Sequence, residues 1–132
     1  MFMTCIHFNG EANEAIEFYK TTLDATVKEI NYAKDAPKNT GLDTLPPMFV
    51  MHSEVMICGA AFSITDGGTE NGIGENISFL IMYETESEVQ TIFDKLADGG
   101  QITQPLQSVF WSPLYGEVKD RFGVTWQVMV QH

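Results

Sequence analysis

The sequence predicts an α+β protein built from two successive βαβββ modules. The element order strand, helix, strand, strand, strand reads off the chain twice. Laying the second run on the first at an offset of 74 residues sets Ile6 on Leu80 and Phe8 on Met82, and Ala15, Phe18 and Tyr19 on Val89, Ile92 and Phe93. Composition agrees: 132 residues, 44% hydrophobic and 19% charged, suit a single globular domain and not a disordered chain.

TCIHFNG, residues 4–10, reads as a short strand ended by Asn9-Gly10. A helix follows, with Ala12, Ala15, Ile16, Tyr19 and Leu23 on one face. Thr26 to Tyr32 is the second strand. The segment KDAPKNTGLDTLPPM, with three prolines and a glycine, is too broken for either periodicity and reads as a long loop. Phe49 to Ile57 and Ala61 to Thr65 are the next strands, joined by a hairpin turn at Cys58-Gly59. Module one then covers about residues 1–66, and a glycine-rich connector, 67–75, leads to module two at 76–132.

In module two, Ile77 to Tyr83 is a strand and Thr85-Glu86-Ser87-Glu88 has capping-box spacing. Val89, Ile92, Phe93, Leu96 and Ala97 mark the helix face, and Gly99-Gly100 supplies a left-handed stop. Three further strands are expected over Ile102 to Gln107, Leu114 to Lys119 and Thr125 to Val130. Each helix would cover one face of its sheet, leaving a concave opposite face suited to a ligand and lined by alternate strand residues.

Seven Lys and Arg stand against 18 Asp and Glu, a formal charge of −11 that repels phosphate backbones and anionic membranes, so neither nucleic acid nor a membrane is an expected partner. The start, MFMTCIHFNG, lacks the basic region and long apolar run of a secretory signal, which points to the cytoplasm. Cys5 and Cys58 form no CxxC and lie in apolar strand-like runs, so buried, reduced thiols are expected.

Three stretches carry a family resemblance: FNGEANEAIEFY; MHSEVMICG with AAFSITD; and PLQSVFWSPLYGEVKDRFGVTW. The last is the most specific, holding Phe110, Trp111, Tyr115, Gly116, Asp120, Phe122, Gly123, Val124 and Trp126. Over nearly its whole length the chain resembles the PhnB-like branch of the vicinal oxygen chelate superfamily, which also holds glyoxalase I, fosfomycin- and bleomycin-resistance proteins and extradiol dioxygenases. The resemblance implies the glyoxalase/bleomycin resistance/dioxygenase fold and a homodimer. Branch members often carry the name 3-demethylubiquinone-9 3-methyltransferase. Methyl transfer from S-adenosylmethionine usually uses a glycine-rich turn between a strand and a helix, and Gly67-Gly68 and Gly72 to Gly74 open no helical pattern.

Metal-dependent relatives take a His from the first strand of each module and a Glu from the last strand, four residues beyond the glycine of the late turn. Here Gly123 places the acid position at Gln127. The second-module His position falls near Ser78 or Phe79, and the first-module one near Thr4, Met3 or Cys5. A divalent Lewis acid needs imidazole or carboxylate ligands, so the expectation is no cofactor, with a divalent metal disfavoured.

His52 and Glu54, two apart in MHSEV at a common PhnB-like position, share a strand face. They read either as an acid/base pair or as one polar face of an exposed strand. His7 sits between Ile6 and Phe8 and should face away from the core, toward the cavity, where it either joins His52 in a metal or proton-transfer site or, the favoured reading, is a satisfied polar group. Phe110, Trp111 and Tyr115 suit a pocket wall for a small organic ligand and equally the core of a dimer interface. Glu117 shares parity with Tyr115 and points into the cavity or into solvent, whereas Trp126, in phase with Val124 and Val128, belongs to the core. Asp120 to Gly123 reads as a hairpin turn, with Arg121 a surface charge. The functions open to such a chain are ligand binding without catalysis, a metal-dependent glyoxalase- or dioxygenase-type reaction, and a structural or regulatory homodimer without a small ligand.

Overall fold

Two amphipathic helices, each backed by four strands, organise the chain. The computed structural model describes residues 2–67, 74 and 77–131. Its elements are β1 (Thr4–Phe8), α1 (Ala12–Leu23), β2 (Thr26–Tyr32), β3 (Val50–Ile57), β4 (Ala60–Asp66), β5 (Phe79–Tyr83), α2 (Glu86–Ala97), β6 (Gln101–Val109), β7 (Ser112–Lys119) and β8 (Thr125–Val130). They fall into two compact units, Met1–Gly72 and Ile73–His132. Most of the expected glycine-rich connector, 67–75, and His132 lie outside the described residues. Among the described residues no helix is long and apolar enough to cross a membrane.

In the first unit the sheet order is β1-β4-β3-β2, with β1 and β4 parallel and the other neighbours antiparallel. α1 buries Ala12, Ala15, Ile16, Tyr19 and Leu23, the face its 3.6-residue periodicity marks. Opposite them Val55, Ile57, Phe62 and Ile64 are buried from β3 and β4. The N-cap residue Glu11 makes no side-chain cap. Asp66 takes over that task from β4: its Oδ1 accepts from the Ala12 amide at 2.9 Å and its Oδ2 from the Val50 amide at 3.0 Å. One buried carboxylate thus ties the first turn of α1 to the start of β3. The Cys58-Gly59 turn has φ of +49° and +83°, as a two-residue type I′ hairpin requires. The long loop holds two 3₁₀ turns, Ala33–Asp35 and Leu42–Thr44.

The second unit repeats the plan with order β5-β8-β7-β6. α2 buries Val89, Phe93 and Leu96. Thr85 caps it, accepting from the Glu88 amide at 3.1 Å, while its hydroxyl donates to the Glu88 carboxylate at 2.9 Å and not the reverse-reaching bond of a full capping box. At the other end Arg121 donates to the Asp98 carbonyl at 3.0 and 3.2 Å and pairs with its carboxylate. The expected surface charge closes the helix. Gly116 lies where a Cβ would come within 2.7 Å of the Phe93 ring, so packing of α2 on β7 needs a glycine there.

Trp126 is 1% exposed, as its parity with Val124 and Val128 predicts. Its indole N–H donates to Asp120 Oδ2 at 2.9 Å, and Asp120 Oδ1 accepts from the Phe122 and Val124 amides. Asp120 therefore holds the hairpin and the core ring together.

Two expectations need correction. Both cysteines are exposed and reduced. Cys58 sits in the hairpin turn, and Cys5 pairs with Ser63 on the β1 face that points away from α1. The offset of 74 residues holds for the helices, Ala12 onto Glu86, but the first strands superpose at 75, Thr4 onto Phe79. Three residues join β1 to α1 and two join β5 to α2. Because strand faces alternate, that one residue moves Leu80 and Met82 to the face opposite the one Ile6 and Phe8 occupy.

Candidate functional site

Each helix covers one face of its sheet; the other carries no helix and is open at Cys5, His7, His52, Leu80 and Met82, whereas Ser63, Thr65 and Met129 on these faces are buried. On the first sheet, register places Cys5 and His7 of β1, Ser63 and Thr65 of β4, His52 and Glu54 of β3, and Glu29 and Asn31 of β2 on that open face. His7 pairs with Thr65, and its Nδ1 lies 2.8 Å from the Thr65 hydroxyl. His52 pairs with Asn31, whose amide lies 3.5 Å from His52 Nδ1 and donates to Glu29 at 3.2 Å. Each imidazole meets its cross-strand neighbour through Nδ1, His7 closely and His52 at the limit of a hydrogen bond. His52 and Glu54 do share a face, yet Glu54 stands directly opposite Glu29. Sequence reasoning missed Asn31, Glu29 and Thr65. Their signal was alternation in TVKEINY and AAFSITD, blurred in the former by a register shift between Val27 and Glu29.

The open face of the second sheet has a different chemistry. Leu80 and Met82 of β5, Gln127 and Met129 of β8, and Tyr115 and Glu117 of β7 lie on it. At the β6–β7 hairpin, Phe110 and Trp111 form a two-residue turn between the paired Val109 and Ser112. Such turns favour Asn-Gly with positive φ. Neither aromatic has it, and Phe110 is 94% exposed, so these rings do not serve the turn itself. Phe110 meets Trp111 edge to face at 4.8 Å and Trp111 meets Tyr115 at 5.4 Å. The Tyr115 hydroxyl donates to Gln127 Oε1 at 2.8 Å, and Gln127 Nε2 donates to the Ser78 hydroxyl at 2.6 Å. A strip of rings therefore runs from the hairpin into a chain of neutral polar groups. Burial, and next the charge of Glu117, push the Tyr115 phenol above its ordinary 10.0, so it stays protonated.

Gln127 is the position onto which the resemblance maps the Glu of metal-dependent relatives, and Ser78 is one of the two positions, with Phe79, near which it maps a His. Gln127 and Ser78 touch, as partners at one site would. An amide and a hydroxyl, both neutral and bonded to each other, do not fit a divalent Lewis acid. Among the described residues no group of three or more His, Cys, Asp or Glu side chains is placed to hold a metal ion. His7, His52 and Glu54 belong to the first unit, and Phe110, Trp111, Tyr115 and Glu117 to the second.

The 3-demethylubiquinone-9 3-methyltransferase family model matches residues 1–129. Protein YjdN of Escherichia coli is 29% identical over 95% of this chain and 91% of its own length. The solved PhnB protein from Bacillus cereus is 29% identical, covers 98% of both chains and superposes with a TM-score of 0.83. A glyoxylase/bleomycin resistance protein/dioxygenase domain from Frankia, 11% identical over 100% of this chain and 91% of its own, shares the fold at a TM-score of 0.71. The doubled strand-helix-strand-strand-strand order, and a family match over almost the whole length, lead to one conclusion: the chain belongs to the 3-demethylubiquinone-9 3-methyltransferase family, the PhnB-like branch of the glyoxalase/bleomycin resistance/dioxygenase fold.

Proposed function

We propose that this protein binds a small organic molecule on the open face of the β5-β8-β7-β6 sheet, without a metal ion. The observation that carries the reading is the strip from Trp111 through Tyr115 to Gln127 and Ser78. Rings supply apolar area for the body of a ligand, and a few fixed polar groups orient it. Catalysis is not required by this arrangement. The groups with acid/base capacity, His52 and Glu54, and with them His7, lie on the helix-free face of the first sheet.

The test is a thermal-shift screen against small aromatic and thiol-conjugated compounds. A ligand at a hundred times its Kd adds about 2.7 kcal/mol to the native state, a readily seen rise in Tm. A hit whose shift disappears in Trp111→Ala supports the reading. Silence across the screen, or hits indifferent to Trp111, would sink it.

The exposure of Phe110 favours a second role for the hairpin, as a contact between subunits of a homodimer. Light scattering of wild type should then give twice the mass of the chain, and Phe110→Ser should shift it toward monomer.

A further inference from the structure

The polar chain at the end of the aromatic strip has an unusual symmetry. Its middle member, Gln127, carries one acceptor and one donor on its amide, and both flanking groups are hydroxyls. A hydroxyl donates or accepts equally well. In one direction Tyr115 donates to Oε1 and Nε2 donates to Ser78. That leaves the Ser78 proton for a ligand acceptor and the Tyr115 oxygen for a ligand donor. Turning the amide over reverses both bonds at no loss of hydrogen bonding. Tyr115 then offers its proton and Ser78 its lone pair. In either direction each of the two contacts pairs one donor with one acceptor.

The charge around the chain is one-sided. Glu117 shares the open face with Tyr115 and pairs directly with Gln127 across β7 and β8. The same field that opposes a Tyr115 phenolate opposes an anionic ligand group at this place.

We propose that Tyr115, Gln127 and Ser78 form a reversible hydrogen-bond anchor that takes an uncharged ligand group of either polarity, a carbonyl or a hydroxyl, and turns away carboxylates. The proposal rests on the ligand-binding reading above and specifies its polar subsite. Gln127 is the specificity-determining residue. Replacing its amide by a carboxylate, Gln127→Glu, leaves an acceptor that both hydroxyls must serve with their protons. The anchor then has only lone pairs left for a ligand, so it keeps hydroxyl donors and loses carbonyl acceptors.

The experiment uses four aromatic probes of similar size, phenol, acetophenone, benzamide and benzoate, titrated by ligand-observed NMR against the full chain and two variants, with Tm measured to confirm folding. Wild type should bind phenol, acetophenone and benzamide within about threefold of one another, and benzoate at least about tenfold more weakly. Gln127→Glu should weaken acetophenone about tenfold while phenol stays within about threefold. Gln127→Met, which keeps the volume and removes the polar chain, should weaken phenol and acetophenone alike. Benzoate binding as well as benzamide, wild-type preference of more than tenfold between phenol and acetophenone, or equal losses of both in Gln127→Glu would each overturn the anchor. Failure of all four probes would overturn the ligand-binding reading, and the anchor with it. Binding with the wrong discrimination would overturn the anchor alone.

Discussion

At the scale of single residues, several polar side chains are fixed by partners on neighbouring strands. Tyr115 shows it best. Its phenol is held up by burial first and by Glu117 second. Below pH 10 both folded and unfolded chains keep that proton and nothing is lost. As pH rises past the ordinary 10.0, the unfolded chain releases it while the folded chain still holds it, so stability falls through that window. Titrating tyrosinate absorbance, with Tyr115→Phe subtracted to isolate one of four tyrosines, should give a midpoint above 10.0. In Glu117→Gln the midpoint should drop yet remain above 10.0, because burial is the larger cause. A wild-type midpoint at or below 10.0 contradicts this account. Pairs such as His52 with Asn31 follow the same logic, and alternation within one strand names the face but not the neighbour that a side chain meets.

Elements are closed by residues distant in sequence. α2 carries its own start signal in Thr85, four residues before the first buried position, Val89. α1 does not, and Asp66, 54 positions away, supplies the missing acceptor. From sequence the strand is expected to end at Thr65, one residue short of Asp66; tertiary pairing with β1 makes Asp66 the last residue of β4. Asp66→Ala leaves the Ala12 and Val50 amides unpartnered and buried, at a cost of about 3 kcal/mol. Urea denaturation measures that loss, and hydrogen exchange should accelerate first at the N-terminal turn of α1. A loss under about 0.5 kcal/mol would show that water replaces the carboxylate.

On the scale of the whole molecule, the two units share one scaffold while their open faces differ. One carries imidazoles, carboxylates, hydroxyls and a thiol. Its counterpart carries rings, thioethers, a neutral amide and the single carboxylate of Glu117. Imidazole and carboxylate are ligands a divalent Lewis acid takes, but among the described residues no three such side chains are grouped to hold one. Purified protein is therefore expected to contain well under one equivalent of divalent metal, and chelator should leave both Tm and ligand-induced shifts unchanged. Stoichiometric metal that disappears in His52→Ala would refute the metal-free reading.

Periodicity, turn chemistry and capping residues are local properties, and from them the chain alone determined the order of its ten main elements, the buried faces of both helices and the core position of Trp126; the family came from the resemblance that the late run Phe110 to Trp126 carries. Register is not local. A single additional residue between β1 and α1 reverses which side chains of the first strands face the helix, and no pattern within either strand reports it. For the same reason the tertiary structure had to decide that Ser78 meets Gln127 across 49 positions, that both thiols are exposed, and that the rings of Phe110, Trp111 and Tyr115 lead into a polar chain. Hydrogen bonds form between atoms adjacent in space, and only pairing of the strands makes these atoms adjacent.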